Sequence, residues 1–86
     1  MLVLEYLDES RKDLAALHAA LIAGDYERAR VFGHQMKGTG RPYGFPDLTA
    51  LGTAIERAAV QQDAFELDRL CHQLENYLTR VELAGK

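Results

Sequence analysis

The chain has 86 residues, 48% of them hydrophobic and 27% charged, with a formal net charge of −3. That is enough apolar material for one small soluble domain, while the acidic balance excludes a general nucleic-acid binder, which would carry a basic face. One cysteine, Cys71, excludes an internal disulfide and a Cys-based zinc motif.

The opening Met1-Leu2-Val3-Leu4 is apolar, but Glu5, Asp8 and Glu9 interrupt it long before it could span a membrane. It also lacks the basic start of a signal peptide, so a cytoplasmic protein with no membrane contact is expected. No stretch alternates apolar and polar residues as a strand would; the 3.6-residue period of helices recurs in four segments. The first is expected over about residues 3–23, with Leu4, Leu7, Leu14, Leu17 and Leu21 along one side. Gly24 stops it and Asp25 is placed to cap the next.

The second helix, over about 25–41, turns Ala29, Phe32, Gly33, Met36 and Gly40 inward. Pro42, between Gly40 and Gly44, bends or ends it, because proline disfavours helical geometry in the residue before it and donates no backbone hydrogen bond. Pro46 suits the first turn of a third helix over about 46–61, and Asp47 complements the positive end of its dipole. Leu48, Leu51, Gly52, Ile55 and Ala59 form its inner stripe. Asp63 caps a fourth helix over about 64–82, with a seam of Leu67, Leu70, Leu74, Leu78 and Val81. The final Ala84-Gly85-Lys86 is expected to fray. Connections this short set successive helices antiparallel, so the expected fold is all-α: a single domain over 1–86 built as an up-down-up-down four-helix bundle.

The run His34-Gln35-Met36-Lys37-Gly38-Thr39-Gly40 stands out on the second helix. At about 100° per residue, His34 points roughly 120–140° away from the inner seam, towards solvent. Arg30, Lys37 and Arg41 fall within about 60° of it on the same wheel, a local concentration of cations that would favour a phosphoryl group on the imidazole. A histidine doing that chemistry needs one neutral, accessible nitrogen and an acceptor on the other to set the tautomer and balance developing charge. Glu56, one residue past Ile55 and so at the edge of the third helix's buried stripe, is the candidate acceptor. Gly38 sits in a helix at a cost of roughly 1 kcal/mol relative to alanine and leaves space one turn after His34 for a large partner to approach. Val31 and Gln35 are further candidate contact positions.

Other features carry less. The glycines at 38, 40 and 44 match neither dinucleotide nor P-loop spacing and follow no strand. His18 and His72 are read as structural or incidental, and Cys71, beside the fourth seam, as a packed thiol. Tyr43 and Phe45 are expected to cover the bundle near the turn.

Taken together, His34, Met36, Lys37, Gly38, Gly40, Gly44, Leu48, Leu51, Ile55 and Glu56 resemble, without an insertion, the pattern of the histidine-containing phosphotransfer (HPt) domain of bacterial phosphorelays. The resemblance implies that His34 accepts a phosphoryl group on its ε nitrogen from a receiver aspartate or a histidine-kinase pathway and passes it to a receiver aspartate. Lys37 would lie near the phosphoryl oxygens and Glu56, where many relatives have glutamine, would hold the δ nitrogen. Arg30, Val31, Gln35, Gly38 and Arg41 would contact the partner. The implied partners are response-regulator receiver domains and a hybrid histidine kinase, any magnesium belonging to the receiver, with this chain monomeric, free of cofactor and metal, and not an autonomous enzyme. Two departures stand out: Pro42, where family members often continue the helix, and a length expected to leave no room for the additional amino-terminal helix of some relatives. The alternative is a binding module that docks a receiver or kinase without turnover, as an inhibitor or phosphate sink.

Overall fold

A computed structural model describes residues 3–84, with side chains from residue 5 onward. Leu4 of the expected first seam and the Gly85-Lys86 end therefore lie outside the described side chains. Four helices follow one another: α1 (Val3–Ala23), α2 (Tyr26–Gly40), α3 (Pro46–Val60) and α4 (Ala64–Ala84). The expected boundaries shift by a residue or two where caps take over. Asp25 precedes α2 and accepts from the Arg28 backbone N–H at 3.0 Å. Asp63 does the same for Glu66 ahead of α4, also at 3.0 Å. In each case the carboxylate satisfies one of the helix's orphan donors. Arg41 and Gln61 are C-caps, and α4 runs on to Ala84, past the expected end at 82.

Pro42 acts as a terminator. The chain leaves α2 at Gly40 and reverses through residues 41–44, with the Phe45 N–H donating back to the Gly40 carbonyl at 2.8 Å. Pro46 then opens α3, where its missing N–H costs nothing.

Each helix packs on two neighbours, α1 on α2 and α4, α3 on α2 and α4, so the four close a ring. Cross-helix pairs fix the antiparallel sense: Tyr6 meets Thr39, Arg11 meets Glu82, and Gly33 meets Glu56. The architecture is thus the expected all-α four-helix bundle. Its core holds Leu7, Leu14, Leu17, Ala29, Phe32, Met36, Leu48, Ile55, Ala59, Leu67, Leu70, Leu74 and Leu78. Leu21, Leu51 and Val81 only edge it; Leu51 faces the open groove between α3 and α4.

The α2–α3 contact differs from the others. It is backbone against backbone at Gly33 and Gly52: a Cβ on Gly33 would stand 2.5 Å from the Glu56 nitrogen, and one on Gly52 2.5 Å from the Lys37 nitrogen. Leucine-sized side chains keep helix axes about 8–10 Å apart; glycine lets these two come closer and sets the register of everything beside the contact.

Candidate functional site

On α2 the core stripe of Ala29, Phe32, Gly33, Met36 and Gly40 is buried, which turns His34 outward with 64% of its side chain exposed. From α3, the close approach at Gly33 and Gly52 delivers Glu56 to the same level. Its Oε2 accepts from His34 Nδ1 at 2.9 Å, and its Oε1 accepts from Lys37 Nζ at 2.8 Å. One carboxylate thus bridges the imidazole and the ammonium. The ammonium beside it, and after that the imidazole, holds the Glu56 carboxyl below its ordinary value of 4.5. An ionised carboxylate only accepts hydrogen bonds, so Nδ1 carries the proton. The lone pair is then on Nε2, which has no hydrogen-bond partner among the described residues. This is the tautomer a nucleophilic ε nitrogen requires.

The cations are arranged differently from the single-helix wheel. Arg30 is engaged by Glu27, with Nη2 to Oε1 at 2.6 Å and Nε to Oε2 at 2.9 Å. Lys37 is engaged by Glu56 across the helix interface. Of the three, Arg41 alone has no ion pair among the described residues. The expected concentration of cations beside His34 thus comprises, among the described residues, two ion-paired side chains and one arginine without an ion pair. The counter-ions are Glu27, about 20° from His34 on the same wheel, and Glu56, which no wheel of α2 can display because it stands on the neighbouring helix.

Val31 is a partly exposed apolar residue one turn before His34, and Gln35 is exposed beside it. Gly38 is exposed, and a Cβ there would meet nothing within 4 Å. The surface in front of the imidazole is consequently low on that side. Arg30, Val31, His34, Gln35, Lys37, Gly38 and Arg41 all lie on α2 or its C-cap, and only Glu56 comes from another element.

Tyr6 was not anticipated. Its ring stacks on Tyr43 at 4.4 Å and lies near Phe45 at 5.9 Å, and its hydroxyl meets Thr39 Oγ1 at 3.1 Å. The stack pins the α2–α3 turn to α1 and braces the last turn of α2 behind the site. The available signal was Tyr6 next to Leu7, an aromatic flanking the first seam.

The remaining ionisable residues lie elsewhere. His18 and His72 meet edge to face between α1 and α4 at 6.5 Å, and His72 Nδ1 donates to the Asp68 carbonyl at 2.8 Å. Cys71 is buried, and burial pushes its thiol up to about 11. Among the described residues no group of three or more His, Cys, Asp or Glu side chains is positioned to hold a metal ion. No described helix is long and apolar enough to cross a membrane.

The helical bundle thus displays an imidazole that is anchored by a carboxylate on one nitrogen and largely exposed on its surface. The chain belongs to the Hpt domain family: the family model for the Hpt domain matches residues 1–84. Membership implies phosphotransfer within phosphorelays and exchange with receiver domains or kinases. No curated protein and no solved structure matches the chain at a significant level.

Proposed function

We propose that this protein is a phosphocarrier in which His34 Nε2 takes a phosphoryl group from a receiver's aspartyl phosphate and returns it to the aspartate of another receiver. The observation that carries the reading is the Glu56 carboxylate on Nδ1, which leaves the Nε2 lone pair outward. In the forward step Nε2 attacks phosphorus, the N–P bond forms, and the P–O bond to the aspartate breaks, releasing the carboxylate. The ring gains positive charge while keeping its Nδ1 proton, and Glu56 compensates that charge from the far side of the ring. Lys37, tethered next to His34, is within reach of exchanging its carboxylate partner for a phosphoryl oxygen. Neither residue generates the phosphoryl group; a donor supplies it, and magnesium, where needed, would sit on the receiver.

The test is phosphoryl transfer from acetyl phosphate-loaded receiver domains to the purified chain, followed as acid-labile label. Wild type should acquire label and His34→Gln none. Equal labelling of His34→Gln would remove His34 from the role, and binding without label on wild type would assign a docking module that inhibits or sequesters instead. Glu56→Ala should retain the fold and transfer more slowly than wild type, because the imidazole loses the acceptor that sets its tautomer and compensates its developing charge.

A further inference from the structure

Arg11, Lys12, Arg28, Arg30, Lys37 and Arg69 are each ion-paired within the chain. Among the described residues, Arg41, Arg57 and Arg80 are not. On a chain of net charge −3, where carboxylates outnumber cations, an arginine left without one is in the minority. Arg41 and Arg57 moreover border the same groove, about 390 Å³ in volume, along the outer side of α3, with Arg41 reaching it from the C-cap of α2.

The register places that groove beside the imidazole. Arg57 follows Glu56 directly and so stands at the level of His34, turned outward by about 100°. Helical side chains lean towards the helix N-terminus, which carries the Arg57 guanidinium over Thr53 and Ala54 and into the groove. Arg41 is seven residues, about two turns, past His34 and on nearly the same side of α2. The floor lies where α2 and α3 touch again: a Cβ on Gly40 would be 2.6 Å from the Thr49 nitrogen. Thr49 Oγ1, on that floor, is buried without a hydrogen-bond partner. Two arginines thus border one groove along α3 that runs from the level of His34 towards the α2–α3 turn.

We propose that this groove receives a carboxylate-bearing segment of the protein that exchanges phosphoryl groups with His34, held by Arg57 at the imidazole end and Arg41 at the other. The proposal rests on the phosphocarrier reading above and adds Arg57 as a determinant of which partner docks. Arginine forks match carboxylates in geometry as well as charge. Charges at the rim of an interface act mainly on encounter rate and partner choice, not on tight retention. That suits a carrier, which must release its partner after each transfer.

The experiment pairs binding with transfer. In the ¹⁵N-labelled chain, titration with unphosphorylated receiver domains should shift the Thr49, Thr53 and Arg57 amides, less strongly at about 300 mM than at about 50 mM salt. Arg57→Glu and Arg41→Glu should each lower the second-order rate of transfer about tenfold while the rate at saturating receiver stays unchanged. Arg80→Glu, on the α3–α4 side, should stay within about twofold of wild type. Receivers that shift Val31 and Gln35 but leave the groove amides unmoved would overturn the proposal, as would equal effects of Arg57→Glu and Arg80→Glu. Saturation of the same amides by inorganic phosphate alone would make the groove a small-anion site and equally overturn it. Groove shifts without label on His34 would instead sink the phosphocarrier reading and leave the docking surface standing.

Discussion

Gly33 and Gly52 face each other across α2 and α3 so closely that a Cβ on either would lie 2.7 Å from the carbonyl oxygen of the other. This contact between backbones sets how closely the helices approach and so bears on how Glu56 reaches towards His34. The nearest atoms are backbone on both sides, so no rotamer change can make room.

Gly52→Ala should therefore push the helices apart, destabilising the fold by about 1–3 kcal/mol as overpacking does. It should also lengthen the His34–Glu56 hydrogen bond. Denaturant unfolding reads the first effect and the His34 Nδ1 chemical shift the second. A fully stable Gly52→Ala protein with an unchanged imidazole would contradict the close contact.

Gly38→Ala separates stability from function. Because a Cβ at Gly38 meets nothing, alanine should raise stability by roughly 0.5–1 kcal/mol through its better helix propensity. If the open surface there serves partner approach, transfer from a receiver should slow in the same variant. Thermal denaturation and a transfer assay on one preparation measure both, and a gain in each would remove Gly38 from the interface.

The pH dependence of Glu56 has a definite sign. Its carboxyl lies below 4.5 in the folded chain, chiefly through Lys37 and secondarily through His34. A lowered folded value means a stabilising contribution that is complete above 4.5 and is lost as pH falls through the lower folded value. Carboxyl-detected NMR should place the Glu56 midpoint below 4.5, and Lys37→Met should move it upward more than His34→Gln does. A midpoint indifferent to Lys37 would mean that the ion pair does not form in solution.

Cys71 should be inert. With its thiol pushed up to about 11, its thiolate fraction at pH 8 falls more than about a hundredfold below that of an ordinary cysteine near 8.5. Alkylation should be slow on the native chain and fast in denaturant; rapid native labelling would contradict its place in the core.

Much of this was legible in the residues themselves. Leucine spacing, Gly24-Asp25 and Pro46 are local signals, and they located the helices and their junctions to within a residue or two. The outward turn of His34 followed from the same periodicity, which also put Glu56 at the edge of a buried stripe but left its contact with the imidazole open. What a helical wheel omits is anything set by a neighbouring helix. Lys37 looked like a free cation because its counter-ion stands on α3. Arg30 looked free although Glu27 is only a turn away, because three-residue spacing permits an ion pair without requiring it. Gly33 and Gly52 could be assigned to inner stripes, but only the packing of two backbones reveals that both must lack a Cβ. Pro42 looked capable of either a bend or a stop; the return hydrogen bond from Phe45 to Gly40 decides for a stop.

His34 and Glu56 are 22 residues apart in the chain, and the tyrosine stack, the glycine contact and the arginine groove all gather around the single hairpin formed by α2 and α3. The chemistry is therefore a short-range property of the polypeptide, completed when two consecutive helices fold onto each other. Helices α1 and α4 serve as a buttress: their leucines and Tyr6 close the core behind the hairpin, and neither helix contributes a side chain to the His34–Glu56–Lys37 cluster.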